Sequence, residues 1–132
     1  MIEPKKTQPM KPIQKILVID DDSKNIYALS AVLKAKGYVS ISAQSAKQGL
    51  ELLNEDSSIA LVLLDMMMPE MDGYQALQEI KKNPAIQHIP VIAVTAQAMS
   101  GDKEKCLQAG ADGYLSKPVA MDQLLTLLQT HL

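Results

Sequence analysis

The sequence has 132 residues, 47% hydrophobic and 21% charged, which predicts one globular domain whose core needs no disulfide or metal. The formal charge of −2 gives no reason to expect contact of this domain with nucleic acid or membrane, and a single cysteine, Cys106, excludes a disulfide framework or a multi-cysteine metal site. Because no apolar run approaches the length of a membrane span and the amino terminus lacks a signal-peptide core, we expect a soluble, cytoplasmic protein.

Residues 1–12 differ from the rest of the chain, since they contain three lysines and three prolines and no periodic apolar pattern. This composition predicts a flexible tail or an interdomain linker. We therefore expect the folded domain to span residues 13–132.

From residue 15 onward, short apolar runs alternate with segments of helical periodicity. The predicted strands cover residues 16–19, 38–43, 59–65, 90–95 and 111–116. The predicted helices follow them in turn: one that stops at Gly37, one that begins with a capping box of Ser45 and Gln48, one from Gly73 to before Pro84, one over residues 101–109, and one from Met121 to Leu132.

This alternation predicts an α/β fold, a doubly wound parallel sheet with helices on both faces, because each strand must return through a right-handed crossover. In such sheets, ligands bind outside the carboxyl ends of the strands, near the point where the strand order reverses. Functional residues are therefore expected just after the strands.

Polar side chains follow four of the five predicted strands. They are Asp20 and Asp21 after the first strand, Asp65 after the third, Thr95 after the fourth and Lys117 after the fifth. Because the carboxyl ends of parallel strands share one edge, three carboxylates, a hydroxyl and an ammonium group are expected to converge there. Like charges at close range oppose folding, so such a carboxylate cluster requires a cation.

The expected ligands are hard oxygens, with no histidine or cysteine nearby, which favours Mg²⁺. Asp21 and Asp65 are the expected direct ligands, and the backbone carbonyl of Met67 completes the protein's share. A carboxylate beside a metal, a lysine and a hydroxyl can attack phosphorus to form an aspartyl phosphate. Thr95 would then donate a hydrogen bond to the phosphoryl group.

Other interpretations of Asp65 remain open from the residues alone. It could be a loop residue bonded to nearby amides. A phosphohydrolase with an aspartyl nucleophile would use the same groups, but the general acid usual two residues later is replaced by Met67. Nucleotide binding is disfavoured because no glycine-rich phosphate loop follows the first strand, and a pure interaction module would leave the acidic cluster unexplained.

The motifs resemble those of receiver domains of two-component response regulators over roughly residues 13–132. The matching segments are Leu17-Val18-Ile19-Asp20-Asp21-Asp22 with Asn25, Leu64-Asp65-Met66-Met67-Met68-Pro69-Glu70-Met71-Asp72-Gly73, Val94-Thr95-Ala96, and Lys117-Pro118. The resemblance implies a flavodoxin-like (βα)5 domain with strand order 2-1-3-4-5. It assigns these roles: Asp65 as phosphoacceptor, Asp20 and Asp21 as the acidic pair for Mg²⁺, Thr95 as the switch hydroxyl, Lys117 as the phosphate-contacting lysine, and Tyr114 as the aromatic that changes rotamer on activation.

The same resemblance implies a phosphohistidine donor on a histidine kinase or histidine phosphotransfer domain, and a downstream effector or output domain as the recipient of the signal. Such a domain is not an enzyme in the usual sense, although it catalyses its own slow phosphorylation and dephosphorylation. Residues 25–30 and 102–110 look most like receivers of hybrid histidine kinases. A stand-alone single-domain regulator is the main alternative.

Several nearby residues are expected to have structural roles only. Asp22 is expected to cap the first helix, and Cys106 to fill the core. Of the three consecutive methionines, only Met68 is expected to point inward. His88 and His131 are expected at the surface.

Overall fold

The computed structural model describes residues 13–68, 73–96 and 101–132 of the chain. The strands are β1 (Lys15–Ile19), β2 (Val39–Ala43), β3 (Ile59–Asp65), β4 (Val91–Thr95) and β5 (Gly113–Ser116). The helices are α1 (Ser23–Ala35), α2 (Ala46–Glu55), α3 (Gly73–Lys82), α4 (Asp102–Gln108) and α5 (Met121–His131). None of these helices is long and apolar enough to cross a bilayer, as far as the described residues go.

The five strands form one parallel sheet in the order β2-β1-β3-β4-β5. The doubly wound α/β fold and the strand order expected from the resemblance are therefore confirmed. The chain moves from β1 to β2 on one side and then to β3 on the other, so the order reverses between β1 and β3. This reversal opens a crevice at the carboxyl ends of those two strands.

Side chains of the central strands alternate between two apolar cores on opposite faces of the sheet. Leu17 and Ile19 of β1 belong to the core covered by α2, α3 and α4. Ile16 and Val18 belong to the core covered by α1 and α5. Because both faces are covered, β1, β3 and β4 are almost continuously apolar. Their polar residues are Lys15, which begins β1, and Asp65 and Thr95, which end β3 and β4.

Two helix starts carry the side-chain caps that the sequence predicts. Asp22 is the N-cap of α1 and accepts a hydrogen bond from the Lys24 amide at 2.9 Å, which confirms its capping role. Ser45 accepts from the Gln48 amide at 3.1 Å. In a capping box the Gln48 side chain would accept a hydrogen bond from the amide of Ser45, the N-cap residue. Here it accepts instead from the amide of Gln44, one residue earlier, at 3.0 Å.

The fifth strand is shorter at its start than predicted, because it begins at Gly113. Ala111 lies just after α4 instead, and its amide donates a hydrogen bond to the carbonyl of Cys106 in that helix at 3.1 Å. The carboxylate of Asp112 accepts from the amide of Val91 at 2.8 Å. Residues 111–112 thus connect α4 to the start of β4 before the β5 ladder begins.

Candidate functional site

The register of β1 and β3 brings two carboxylates side by side at the edge of the crevice. Ile19 pairs with Leu64, so Asp20 and Asp65, the next residue on each strand, are neighbours. Both carboxylates are buried, with 2% and 3% of their surface exposed respectively. Burial of ionisable groups is costly unless partners compensate it, and each of the two has such partners.

The register of β4 and β5 adds the hydroxyl and the ammonium group at the same edge. Asp65 pairs with Val94, which places Thr95 one residue further along. Thr95 pairs with Ser116, and Lys117 follows. The amide of Lys117 donates to the carbonyl of Thr95 at 2.8 Å, which ties the ends of the two strands together. The predicted residues therefore lie along one edge of the sheet.

Asp20 is held as a carboxylate by three donors. The amide of Asp22 donates to Oδ1 at 2.9 Å, the side-chain amide of Asn25 donates to Oδ2, and Nζ of Lys117 lies 3.1 Å from Oδ2. Burial on its own raises the pKa of Asp20. The hydrogen bonds from these three donors together outweigh burial, so the pKa is lowered and Asp20 stays ionised.

Asp65 lies in a less favourable environment than Asp20. Its Oδ1 accepts from the amide of Met67 at 3.0 Å, and its Oδ2 lies 3.6 Å from Nζ of Lys117. Burial, together with the negative charge of Asp20, raises the pKa of Asp65 despite the Met67 amide and the charge of Lys117. Two adjacent carboxylates thus have pKa values that move in opposite directions, a pattern common at functional sites.

Lys117 is the cation that partly neutralises this pair. Burial lowers its pKa, but the hydrogen bond to Asp20 and the charges of Asp65 and Asp20 outweigh that effect, so the pKa is raised and the ammonium stays charged. One lysine facing two buried carboxylates leaves an excess of negative charge.

Asp21 adds a third carboxylate to this cluster. It is exposed, in contrast to its two buried neighbours, and oxygen atoms of Asp20, Asp21 and Asp65 lie within 4.8 Å of one another. Three hard oxygen donors at this spacing suit a divalent cation such as Mg²⁺.

The three methionines after Asp65 divide into two buried residues and one exposed residue. Met66 and Met68 are buried, whereas Met67 is 49% exposed beside the carboxylates. The expectation that only Met68 points inward is therefore wrong. Met66 continues the strand, because its amide donates to the carbonyl of Val94 at 2.9 Å, and so its side chain enters the core.

Gly73 fixes how α3 meets the end of β3. A Cβ atom at this position would lie 2.4 Å from Cα of Met66 and 2.5 Å from its sulfur. The amide of Gly73 also donates to the carbonyl of Met66 at 3.3 Å. Only a residue without a side chain allows the helix to begin this close to the site.

Two features around the site were not predicted. The contact of Asn25 with Asp20 joins α1 to the carboxylate pair. Tyr114 is half-buried, and its hydroxyl donates to Oδ2 of Asp102 at 2.7 Å. The sequence contains a weak signal for the second contact, because Asp102 begins the helix that immediately precedes β5.

Pro69–Asp72 and the linker-like residues 1–12 lie outside the described residues.

Several known proteins are similar to this chain. A family model described as response regulator receiver domain matches residues 16–129. The polar-differentiation response regulator DivK of Brucella ovis is 32% identical over 119 residues, which is 90% of this chain and 96% of the relative.

Solved structures are also similar to this chain in both fold and sequence, and two of them serve as examples. The receiver domain of sensor histidine kinase PA1611 from Pseudomonas aeruginosa PAO1 is 34% identical with a TM-score of 0.81, over 89% of this chain and 96% of that one. That structure has a magnesium ion coordinated in its active site cleft. A response regulator receiver domain protein from Clostridium thermocellum is also 34% identical with a TM-score of 0.81, over 89% of this chain and 93% of that one.

Proposed function

The chain belongs to the response regulator receiver domains of two-component systems, which are phosphoacceptor signalling domains, and on that premise we propose that Asp65 is the residue that accepts the phosphoryl group. The observation that carries this assignment is the position of Lys117, whose ammonium lies 3.1 Å from Asp20 and 3.6 Å from Asp65. Of these two carboxylates, Asp20 is held by three donors, whereas Asp65 has the raised pKa and the weaker contact with the lysine. Asp65 is therefore the better nucleophile.

We propose that Mg²⁺ binds between the three carboxylates. The donor set fits this ion, because Asp20, Asp21 and Asp65 offer hard oxygens within 4.8 Å of one another and Lys117 alone leaves them with excess negative charge. The backbone carbonyl of Met67 is the fourth proposed ligand. When bound, Mg²⁺ would supply positive charge to the oxygens of the transferring phosphoryl group.

In the proposed transfer, a carboxylate oxygen of Asp65 attacks the phosphorus of a phosphohistidine. The new O–P bond forms as the N–P bond breaks, and the leaving imidazole nitrogen keeps the electron pair and takes up a proton from solvent. Lys117 stabilises negative charge on the phosphoryl oxygens during the transfer. The amide of Met67, which donates to Asp65 at 3.0 Å, keeps the carboxylate in position for the attack.

Thr95 is the proposed switch residue. It is buried at the end of β4, one residue beyond the partner of Asp65, and it would donate a hydrogen bond to the phosphoryl group after transfer. Tyr114 lies on the neighbouring strand and would turn toward the space that Thr95 vacates. The face formed by α4 and β5 would thereby change shape, and both conformers would exist before phosphorylation at different populations.

Receiver domains interact with histidine kinases or phosphotransfer proteins and with effectors, and this chain belongs to that family. We propose a phosphohistidine of a kinase or phosphotransfer domain as the donor. We propose an origin within a hybrid kinase, which the similarity to the receiver of a sensor histidine kinase supports. We also propose that residues 1–12 act as a linker and that residues 13–132 form the domain. The family membership does not favour a phosphohydrolase.

The test is incubation of the protein with acetyl phosphate and Mg²⁺, followed by intact mass measurement. We expect the wild-type protein to gain one phosphoryl group and to gain none when Mg²⁺ is chelated. The Asp65→Asn variant should gain none under either condition. A phosphoryl adduct that persists undiminished in Asp65→Asn would contradict the assignment.

A further inference from the structure

One carboxylate on α4 joins the two half-buried tyrosines that flank that helix. Oδ2 of Asp102 accepts the hydrogen bond from Tyr114 on β5 at 2.7 Å. Oδ1 of the same residue accepts a longer bond, at 3.4 Å, from the hydroxyl of Tyr74 in the first turn of α3. Asp102 thus connects α3, α4 and β5 through hydrogen bonds.

The contacts of Tyr74 extend this cluster along α4. Its hydroxyl lies 3.5 Å from the sulfur of Cys106, which is one helical turn after Asp102 and fully buried. Nζ of Lys105 lies 4.7 Å from the centre of the Tyr74 ring, a cation–π distance. We call Asp102, Tyr114, Tyr74, Cys106 and Lys105 the α4 cluster.

Both tyrosines of the α4 cluster remain hydrogen-bond donors at neutral pH. Burial, reinforced by the bond to Asp102, raises the pKa of Tyr114 to about 12. Burial and the contact with Cys106 raise the pKa of Tyr74 as well. Because a phenol has one proton to donate, the bond of Tyr114 to Asp102 must break before that hydroxyl can donate elsewhere.

The sheet register places Tyr114 on the strand next to Thr95, the proposed switch residue. Tyr114 pairs with Ala93, and Thr95 lies two residues further along β4, on the same face of the sheet. Ala93 is a small, fully buried residue of the core against which Tyr114 packs. Tyr74 directly follows Gly73, which packs against the backbone of the residue after Asp65. The α4 cluster therefore includes residues of β5 and α3, and each of these two elements has one end next to the carboxylate site.

We propose that Asp102 is a positioning residue that holds Tyr114 against α4 in the unphosphorylated protein, and that phosphorylation of Asp65 must overcome this hold. The inference rests on the proposed function, because it concerns the conformer in which Asp65 reacts. Loss of the Asp102 carboxylate removes a stabilising bond from one conformer only. The reactive conformer then becomes more populated, and phosphorylation becomes faster.

The kinetic test compares Asp102→Ala with Glu104→Ala, which removes the other acidic residue from the first turn of α4. With acetyl phosphate and Mg²⁺, we expect Asp102→Ala to be phosphorylated about three- to ten-fold faster than wild type, the effect of one net hydrogen bond on a two-state equilibrium. Tyr114→Phe should give a similar increase, and the double variant no more than either single variant. Glu104→Ala should react at the wild-type rate.

An unchanged rate in Asp102→Ala, an equal increase in Glu104→Ala, or additive effects in the double variant would each overturn the inference. Failure of the proposed function itself looks different, since the wild-type protein would then gain no phosphoryl group. A structural role alone would lower stability without giving the non-additive rate effect.

The hydrogen bond between Asp102 and Tyr114 is tested on the unphosphorylated protein by NMR of tyrosines labelled with ¹³C at Cζ. Tyr114 is assigned by loss of its signal in Tyr114→Phe, and Tyr27, which is 78% exposed on α1, serves as the internal control. In Asp102→Ala we expect the Tyr114 signal to shift and the Tyr27 signal to stay in place. A Tyr114 signal that does not move would overturn the inference whatever the rates are.

Discussion

Nζ of Lys117 lies 3.6 Å from Oδ2 of Asp65, where β5 and β3 end at the same edge of the sheet. The same ammonium is nearer to Asp20, at 3.1 Å. Asp65 therefore contacts the lysine without being fully neutralised by it. We propose that this buried carboxylate keeps enough negative charge to react with an incoming electrophile.

The first prediction concerns this lysine. Lys117→Gln removes the positive charge that we propose stabilises the transferring group, so we expect phosphorylation by acetyl phosphate to slow by about ten- to a hundred-fold. The matched control is Lys81→Gln, because Lys81 is similarly half-buried and lies 3.0 Å from Asp112, away from the site. Lys81→Gln should react at the wild-type rate. Equal rates for the two variants would contradict the role of Lys117.

The second prediction concerns how much the ionised Asp65 carboxylate lowers the free energy of unfolding. The folded-state pKa of Asp65 is raised above its ordinary value of 3.8, so the ionised carboxylate destabilises the fold at all pH values above the folded-state pKa. In EDTA at pH 7, Asp65→Asn should raise the free energy of unfolding by about 1 kcal/mol. This gain should shrink as the pH falls through the raised pKa and vanish below the ordinary one. Urea unfolding between pH 7 and pH 4 measures it, and a gain that grows on acidification would contradict the account.

The third prediction concerns the metal. Ligand binding to the folded state alone adds about 2.7 kcal/mol at a hundred times the dissociation constant, so Mg²⁺ should raise the unfolding temperature of the wild-type protein. Asp21 is exposed, so Asp21→Asn should change the free energy of unfolding of the metal-free protein by less than about 0.5 kcal/mol. The same variant should show a smaller rise in unfolding temperature when Mg²⁺ is added.

The control for the metal prediction is the next residue along the chain. Asp22 caps α1 through its side chain, and Asn is an equally good cap, so Asp22→Asn should keep the full Mg²⁺ response. If Mg²⁺ raised the unfolding temperature of Asp21→Asn but not that of Asp22→Asn, the wrong acidic residue would have been assigned to the metal.

The fourth prediction compares two buried glycines. In Gly73→Ala the new Cβ meets the backbone of Met66 at 2.4 Å, which cannot yield without moving the end of β3. We expect a loss of about 1–3 kcal/mol in urea unfolding together with slower phosphorylation. In Gly49→Ala the new Cβ meets side-chain atoms of the buried Ile19 and no backbone atom of β3, so stability should fall while the phosphorylation rate stays unchanged. Equal phosphorylation rates for Gly73→Ala and wild type would show that the junction of β3 and α3 does not position the site.

The sequence was sufficient to predict the elements that carry the site, because buried apolar runs stop at polar residues where the strands end. Asp20, Asp65, Thr95 and Lys117 were predicted to lie together from the parallel arrangement alone, and the strand register places them there. The order of the strands came from the resemblance to a known family, since periodicity does not determine which strands are neighbours.

The side-chain contacts around those residues were not predictable in the same way. Whether Met66 faces the core depends on β3 pairing continuing one residue past Asp65, which three identical side chains in a row do not reveal. The bond between Tyr114 and Asp102 depends on how α4 packs beside β5, and the sequence shows only that this helix directly precedes that strand. Sequence patterns thus predict where polar groups emerge from the sheet, and packing decides which partners they meet.

The most direct measurement of the central claim is chemical mapping of the phosphorylated residue. Borohydride reduces an aspartyl phosphate to homoserine, which marks the position in a tandem mass spectrum of the digested protein. After treatment with acetyl phosphate and Mg²⁺, we expect homoserine at position 65 and unmodified aspartate at positions 20 and 21. Homoserine at position 20 or 21, or its absence from a protein that has gained a phosphoryl group, would contradict the assignment of Asp65 as the phosphoacceptor.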